Sequence, residues 1–250
     1  MSFELKKMIA AAGKQSLDLV FPRRCPMCDR PVRPGTLICP ECADKPEPVG
    51  RDYCLICGRR VASPELAYCP DCGRTGVRNF SMGASVYLYR SVAGSLYRLK
   101  YKGRREYADY FGQVMADRAR QVLLPRAKLF PDLVVPVPMH RARERERGYN
   151  QAALLAETMA SGLGIPMNGR VLERTSRTGP LRMMSAEERA RTLRGAFCAS
   201  AIAIAGKTII IVDDIYTTGA TTDACARALR EAGAADVLVM TLASGYIPSR

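Results

Sequence analysis

A pair of adjacent aspartates and a cluster of threonines lie together in the segment IIIVDDIYTTGATT, residues 209–222. Asp213 and Asp214 directly follow an apolar run, where buried carboxylates are costly unless they have a partner. In the segment after them, a glycine allows backbone N–H groups to converge, and hydroxyl groups add further donors. With the start of the following helix, these groups form a cradle typical of a phosphate monoester. The cradle residues are Thr217, Thr218, Gly219, Ala220 and Thr221.

The two carboxylates need a different partner, because they would repel a phosphate group. Sugar hydroxyls satisfy them, as does a Mg²⁺ ion that bridges to the sugar. A phosphate cradle beside a site for vicinal hydroxyls describes a ribose 5-phosphate compound, and it makes Asp213 and Asp214 the candidate catalytic residues. The alternative is a tight strand-to-helix turn in which a threonine caps the helix and the aspartates face solvent.

Eight of the ten cysteines form four C-x-x-C pairs in the N-terminal third of the chain. Two thiolates separated by two residues can both reach one metal ion at about 2.3 Å, and four thiolates leave no open coordination position. The pairs repeat in tandem, which predicts two similar ribbons, each with its own structural zinc ion. The predicted ligands are Cys25, Cys28, Cys39 and Cys42 in the first ribbon and Cys54, Cys57, Cys69 and Cys72 in the second.

Other uses of these cysteines remain open at this stage. An iron–sulfur cluster, or redox use of one pair, is an alternative to zinc, and the ligand pairs could be interleaved between the two repeats. Cys198 and Cys225 stand alone among small apolar residues, which is typical of buried structural thiols.

The pattern of alternating strands and helices from about Phe80 onward predicts where the segment 209–222, with its aspartates and threonines, lies in the fold. The predicted strands are 82–89, 132–138, 207–214 and 236–244, and the predicted helices are 91–100, 105–122, 150–164 and 221–232. Continuous apolar strands separated by helices indicate an α/β domain with a parallel sheet covered on both faces. Ligands of such sheets bind beyond the carboxyl ends of the strands, which is where Asp213 and Asp214 lie.

The chain of 250 residues has a formal net charge of +14, and most of the basic excess lies in residues 80–250. Basic charge without acidic residues suits a polyphosphate ligand or nucleic acid, whereas solvated surface is the alternative for any single arginine. Tyr53, Tyr68 and Phe80 are candidates for stacking on unpaired bases. The densest basic run consists of Arg90, Arg98, Lys100, Lys102, Arg104 and Arg105.

The N-terminal segment, residues 1–22, is predicted to be a docking helix rather than a signal peptide, because Gly13 and Lys14 interrupt its short apolar run. Contact with a membrane surface is the alternative. No stretch of 18 apolar residues occurs, so we expect no transmembrane segment and a cytoplasmic location. The predicted domains are the N-terminal helix (1–22), the double zinc ribbon (23–79) and the α/β domain (80–250).

Residues 209–221 resemble the motif with which type I phosphoribosyltransferases bind phosphoribosyl pyrophosphate (PRPP): an apolar run, two acidic residues and T-T-G-x-T. The resemblance implies a phosphoribosyltransferase-like fold in which Asp213 and Asp214 face the ribose hydroxyls and the cradle holds the 5′-phosphate. It also implies Mg²⁺ bound with PRPP and a pyrophosphate loop after an earlier strand, for which residues 135–151 are in position. The candidate pyrophosphate-binding cations are Arg141, Arg143, Arg145 and Arg147.

Over essentially its whole length the chain resembles the ComF family of competence proteins. Beyond the ribbons and the PRPP motif, the resemblance rests on LKYKGRREYA (99–108), RGYNQAALLA (147–156) and SAEERARTLRGAF (185–197). It implies a role with incoming single-stranded DNA during DNA uptake. The chain departs from the family at Leu181, where glutamine is usual, and at Thr192, where asparagine is frequent. Both changes bear on contacts with a second substrate.

Three functions fit these features. An enzyme would transfer the ribose phosphate of PRPP to a nitrogen nucleophile with release of pyrophosphate, largely by positioning and charge stabilisation. A binding module would hold PRPP, a nucleotide or single-stranded DNA without turnover, and an adaptor would bind a protein such as a helicase of the uptake machinery. His140, the only histidine, is explained more simply by a hydrogen bond in its loop than by catalysis. We expect PRPP binding combined with handling of single-stranded DNA, with a metabolic phosphoribosyltransferase or a PRPP-sensing adaptor as alternatives.

Overall fold

The computed structural model describes residues 22–76, 78–175 and 195–245. The predicted N-terminal helix therefore lies almost entirely outside the described residues, as do Leu181 and Thr192. Within these ranges, no helix is long and apolar enough to cross a membrane.

A parallel sheet of four strands forms the centre of the α/β domain, with the order β1-β6-β5-β2. Its strands are β1 (Met82–Leu88), β2 (Leu133–Pro136), β5 (Thr208–Tyr216) and β6 (Asp236–Ser244), and a separate antiparallel pair consists of β3 (Leu172–Arg174) and β4 (Phe197–Ala199). The four sequence-predicted strands are confirmed. Strand β5, however, continues two residues past the predicted end at Asp214, because Ile215 and Tyr216 still pair with β6.

Successive residues of β5 pack into the cores on opposite faces of the sheet. Ile209 and Ile211 belong to the core shared with the second ribbon, whereas Ile210 and Val212 belong to the core covered by helices. All four side chains are fully buried. The uninterrupted apolar run thus reflects burial on both faces, as expected for a parallel strand.

The helices connect the strands and cover both faces of the sheet. They are α1 (Pro70–Thr75), α2 (Tyr89–Tyr101), α3 (Tyr107–Arg118), α4 (Arg141–Arg147), α5 (Gln151–Leu163), α6 (Ala201–Ile204) and α7 (Ala220–Glu231). A 3₁₀ turn spans Pro40–Cys42, and α3 continues through a π-helical segment, Ala119–Leu123, and a last turn, Leu124–Ala127. Helix α5 begins at Asn150, whose side chain accepts the Ala152 N–H, and it ends at Gly164 in the left-handed region.

The two ribbons dock on different parts of the α/β domain. The first (residues 23–47) packs on α2 and α3, where Ser95 donates to the Pro26 carbonyl at 2.5 Å and Tyr107 donates to Asp29 at 2.5 Å. The second (residues 48–76) packs on the sheet, and its four cysteines form part of the core that includes β5. The second ribbon thus covers one sheet face together with helix α7.

Candidate functional site

The end of strand β5 holds the two aspartates side by side. The Asp213 carboxylate accepts the N–H of Asp214 at 2.8 Å, and the Asp214 carboxylate contacts the ammonium group of Lys100 at the end of α2. Asp214 is only 5% exposed, so the lysine is the charge partner of this buried carboxylate. The predicted solvent-facing alternative for these carboxylates is therefore wrong for Asp214.

The surroundings of Asp213 shift the pKa of its carboxyl group. Burial, and then the negative charge of Asp214, hold the pKa of Asp213 well above that of a free aspartate. The ionised form of Asp213 is therefore less favoured than that of a free aspartate. A cation bound at this strand end would restore the ionised form of Asp213, because an opposite charge lowers the pKa of a carboxyl group.

A tight turn of three residues joins β5 to helix α7. Its Gly219 has φ of +79°, and a Cβ atom there would overlap the hydroxyl group of Tyr216. Only glycine meets both conditions without strain. The helix starts at Ala220, one residue earlier than predicted, so the cradle residues Ala220 and Thr221 form its first turn.

Two arginines outside the turn bind its backbone carbonyls. Arg59 of the second ribbon donates to the carbonyl of Thr217 at 2.8 Å, and Arg78 donates to the carbonyl of Thr218 at 3.3 Å. In a planar trans peptide the N–H points away from the carbonyl. The N–H groups of Thr218 and Gly219 therefore face away from these arginines, and within the described chain neither has a hydrogen-bond acceptor. Two free donors at a helix N-terminus are suited to an anion.

The predicted pyrophosphate-loop arginines lie on a helix, α4, rather than in a loop. His140 caps this helix by accepting the Ala142 N–H at 3.2 Å, which matches the expected local hydrogen bond. Arg141 pairs with Glu173 at 3.3 Å, and the Arg147 guanidinium lies 5.1 Å from the ring centre of Tyr101. Strand β2, which precedes α4, is adjacent to β5, so the segment starts beside the aspartates. The assignment of these four arginines to pyrophosphate stays a prediction.

Most of the basic run from Arg90 to Arg105 is used in contacts within the protein. Arg98 donates to the Met27 carbonyl at 2.7 Å, and Arg104 pairs with Asp29 at 2.9 Å, so both hold the first ribbon. Arg90 pairs with Glu47 at 2.7 Å, and Lys100 contacts Asp214. These contacts within the protein were not anticipated from the sequence, which suggested a polyanion ligand or solvated surface for this run.

The stacking candidates are also corrected by the structure. Phe80 is 2% exposed and packs edge-on against Tyr216, so it cannot receive a base. Tyr53 is flanked by the guanidinium groups of Arg118 and Arg126, at 5.3 and 5.2 Å from its ring centre. Tyr68 is 49% exposed and stays available on the second ribbon.

An exposed aromatic pair on α2 was missed by the sequence reading. Tyr97 and Tyr101 are 54% and 53% exposed, and their ring centres lie 5.2 Å apart. Arg147 lies over the ring of Tyr101, and Arg105 lies 4.5 Å from the ring centre of Tyr149 and donates to the Gly148 carbonyl at 3.2 Å. The i, i+4 spacing of the tyrosines was a usable signal. We call Tyr97, Tyr101, Lys102, Arg105 and Arg147 the tyrosine–arginine surface.

The eight predicted ligands form two metal sites. In each quartet, Cys25/Cys28/Cys39/Cys42 and Cys54/Cys57/Cys69/Cys72, the sulfur atoms lie within 4.8 Å of one another, so the pairs are not interleaved between the repeats. A tetrahedral site with metal–sulfur bonds of about 2.3 Å has sulfur–sulfur edges of about 3.8 Å. The Cys28–Cys39 and Cys57–Cys69 sulfur distances of 3.8 and 3.7 Å match this value, so both quartets fit structural zinc.

The two remaining cysteines differ in their environment. Cys225 is buried, as predicted, and burial raises the pKa of its thiol well above the usual value. Cys198 is exposed on β4, so its prediction as a buried thiol is wrong. The alternation of inward and outward residues on this short strand explains the difference.

Comparison with known proteins gives matches to both parts of the chain. The double zinc ribbon domain family matches residues 16–73, and the phosphoribosyl transferase domain family matches residues 150–247. The competence protein ComFC of Bacillus subtilis (strain 168) is 31% identical over 221 residues, which cover 84% of this chain and 85% of that protein. The DNA utilization protein YhgH of Salmonella typhi is 30% identical over 221 residues (87% and 88%), and competence protein F of Haemophilus influenzae is 34% identical over 130 residues (51% and 54%).

Proposed function

The chain belongs to the ComF family of competence proteins, and we propose that its phosphoribosyltransferase domain binds PRPP or a related ribose 5-phosphate compound at the end of strand β5. The turn of Thr217, Thr218 and Gly219, with the first turn of α7, receives the 5′-phosphate. Asp213 and Asp214 face the ribose hydroxyls.

The observation that carries this proposal is the pair of N–H groups of Thr218 and Gly219. Both lack an acceptor among the described residues, and both lie directly before the first residue of α7. The two carboxyl groups at the strand end lie only a few residues before them, which supports an anion site and a hydroxyl or cation site side by side.

The aspartates also support Mg²⁺ as part of the bound ligand. Oxygen ligands from one or two carboxylates, completed by substrate phosphates, are the usual environment of this ion. Bound there, Mg²⁺ would neutralise the pyrophosphate and stabilise it as a leaving group. The chain's own contribution to a transfer reaction is then the positioning of the ribose by Asp213 and Asp214 and of the phosphate by the turn.

A calorimetric titration with Mg²⁺-PRPP tests the site. We expect binding by the wild-type protein and its loss in the double variant Asp213→Asn, Asp214→Asn. Asp117→Asn is the matched control, because the Asp117 side chain is 61% exposed on α3 and contacts only Arg120 among the interactions described. Equal affinity of all three proteins for Mg²⁺-PRPP would contradict the assignment of the binding site to the aspartates. Incubation with Mg²⁺-PRPP and candidate bases, followed by measurement of pyrophosphate, separates an enzyme from a binding module.

The tyrosine–arginine surface favours single-stranded DNA as the second ligand. Stacking on aromatic side chains, combined with cations for the backbone, is the usual mode of binding unpaired strands. Tyr97 and Tyr101 offer exposed rings, Lys102 and Arg105 are exposed cations, and Lys100 links the same end of α2 to Asp214. Single-stranded DNA bound to this surface would thus pass close to the proposed ribose site. The names of the relatives, which refer to competence and DNA utilization, agree with this role.

Fluorescence anisotropy with a labelled oligothymidylate tests the surface. We expect Tyr97→Ala with Tyr101→Ala to weaken binding by about tenfold or more, because each base–aromatic stack is worth about 1–3 kcal/mol. Tyr68→Ala is the control, since Tyr68 is similarly exposed on the second ribbon. Affinity should also fall with rising salt. A flat salt dependence, or equal affinity of the double variant and the control, would contradict the proposal.

We also propose a cytoplasmic location. Two quartets of reduced thiolates, with no disulfide among the described cysteines, are typical of a reducing compartment.

A further inference from the structure

Arg59 links the second metal site to the backbone of the phosphate turn. Its guanidinium group donates to the Cys69 sulfur at 3.3 Å and to the Asp71 carboxylate at 2.7 Å. The same group donates to the Thr217 carbonyl at 2.8 Å, and it lies 5.4 Å from the ring centre of Tyr216. Arg59 is 2% exposed, so these partners replace water around its charge.

The planar fork of the guanidinium group is what makes this link directional. It carries five N–H donors in fixed positions, so the contacts of Nη2 with Cys69 and Asp71 determine where Nη1 meets the Thr217 carbonyl. A lysine has a single ammonium group on a flexible stem and cannot hold the same three partners in one geometry. The orientation of the Thr217–Thr218 peptide therefore depends on the metal-ligand segment Cys69–Asp71.

The second ribbon is itself held rigidly against the sheet. Gly83 at the start of β1 donates to the Ile56 carbonyl at 2.6 Å, and a Cβ atom on Gly58 would overlap the backbone of Ala84. Cys54, Cys57, Cys69 and Cys72 are each at most 2% exposed and share the core of β5. A change at this metal site is therefore transmitted to the turn rather than absorbed by a loose contact.

We propose that Arg59 is a positioning residue for the phosphate turn and that occupation of the second zinc site, Cys54/Cys57/Cys69/Cys72, is energetically coupled to ligand binding at that turn. This proposal rests on the proposed ribose-phosphate site. With zinc bound, Cys69 and Asp71 hold Arg59, and Arg59 holds the Thr217 carbonyl so that the N–H of Thr218 faces the phosphate. Without zinc, the arginine loses its fixed partners and the donors of the turn are no longer aligned. The first zinc site has no such contact among the described residues.

Substitution of adjacent arginines tests the positioning role. Arg59→Lys should bind Mg²⁺-PRPP about tenfold to a hundredfold more weakly than wild type, in the range expected for hydrogen bonds to a charged group. Arg60→Lys is the matched control, because Arg60 lies on the same ribbon and binds Glu47 and the Val49 and Pro48 carbonyls instead. Zinc content by elemental analysis and the NMR amide chemical shifts of residues 217–221 accompany both titrations. A change in these shifts is expected in Arg59→Lys alone. Equal PRPP affinity of the two variants would overturn the positioning role.

Zinc release from the unmodified protein tests the coupling without any variant. Coupling between two sites is reciprocal, so at equilibrium PRPP should reduce the transfer of one of the two zinc equivalents to a competing chromogenic chelator and leave the other unchanged. Mg²⁺ also binds the chelator, and PRPP also binds zinc. The reference for zinc release is therefore the same mixture with the Asp213→Asn, Asp214→Asn variant. Equal release in the presence and absence of bound PRPP would overturn the coupling. If wild type with two zinc ions does not bind PRPP at all, the proposed function fails instead, and the calorimetric titration distinguishes that result.

Discussion

The ammonium group of Lys100 contacts the carboxylate of Asp214, and this contact joins the last turn of α2 to the end of strand β5. Both side chains are largely buried, at 17% and 7% exposure. The contact orients the Asp214 carboxylate, and the proposed ligand meets an acid–lysine pair rather than a free acid. Lys100 also belongs to the helix that carries Tyr97 and Tyr101, so the two proposed binding regions share one element.

Substitution of Lys100 should destabilise the fold, because it leaves the Asp214 carboxylate buried without a charge partner. We expect Lys100→Met to lower the free energy of unfolding by about 1–3 kcal/mol, somewhat less than for a fully buried pair. Urea denaturation measures the change, with Lys102→Met as the control on an exposed lysine two residues away. Asp214→Asn added to Lys100→Met should recover part of the loss. Strict additivity of the two substitutions would argue against the pairing.

Substitution by asparagine should change the melting temperature in opposite directions at Asp213 and at Asp214. The pKa of Asp213 is raised by burial and by Asp214, so the folded state holds a proton that the unfolded chain releases above a pH of about 4. Stability contributed by this group therefore falls as the pH rises from the unfolded pKa to the raised folded pKa. Asp213→Asn keeps the acceptor for the Asp214 N–H and removes this loss. We expect its melting temperature at neutral pH to rise by a few degrees.

Asp214→Asn provides the comparison, since it leaves Lys100 without its carboxylate and should lower the melting temperature. Both variants should lose PRPP affinity, so stability and binding change independently for Asp213. Thermal unfolding at several pH values checks both statements. A melting temperature of Asp213→Asn that lies below wild type at neutral pH would contradict the raised pKa.

Gly219→Ala should disrupt the turn by two separate effects. The left-handed φ costs any alanine about 1–2 kcal/mol, and the added methyl group overlaps Tyr216. Gly206→Ala isolates the first effect, because Gly206 has φ of +71° and nothing within 4 Å of a Cβ atom. We therefore expect Gly219→Ala to lose about 1–3 kcal/mol more than Gly206→Ala in denaturant unfolding. Tyr216→Phe should restore part of the difference by removing the hydroxyl group. Similar losses for the two alanine variants would refute the close contact.

The two zinc sites should contribute unequally to the stability of the α/β domain. Elemental analysis should find two zinc ions per chain, and Cys57→Ser and Cys28→Ser should each reduce this to one. The second quartet shares the core of β5, whereas the first forms a small cluster of its own with Val32. Cys57→Ser should therefore lower the melting temperature by about 10 °C or more, and Cys28→Ser by less. The reverse order, or iron in place of zinc, would contradict this assignment.

Several features of the site were predictable because they depend on neighbours in the chain. The C-x-x-C spacing identified all eight metal ligands, since two thiolates on one turn can reach one ion. The apolar run before Asp213 identified strand β5, and the single glycine among threonines marked the turn that follows. The resemblance to the ComF family was confirmed by relatives that align over most of the chain.

Other features depended on residues far apart in sequence and were therefore missed. The contacts of the basic run were not predicted, because Arg98 and Arg104 bind carbonyls and carboxylates of the first ribbon about 70 residues away. Phe80 was proposed as an exposed ring, yet it packs under Tyr216. Neither the contacts with the first ribbon nor the contact between Phe80 and Tyr216 can be recognised from local spacing or composition.

The amino-acid sequence by itself determined the two thiolate quartets, the order of strands and helices and the acid-and-threonine segment, because each is encoded within about 20 consecutive residues. The tertiary structure alone decided that Lys100 pairs with Asp214 and that Arg59 joins a metal site to the turn 158 residues later in the chain. The physical reason is that a buried charge takes its partner from whatever packing brings within hydrogen-bond distance. In this fold, that packing is the docking of the ribbons on the sheet and its helices.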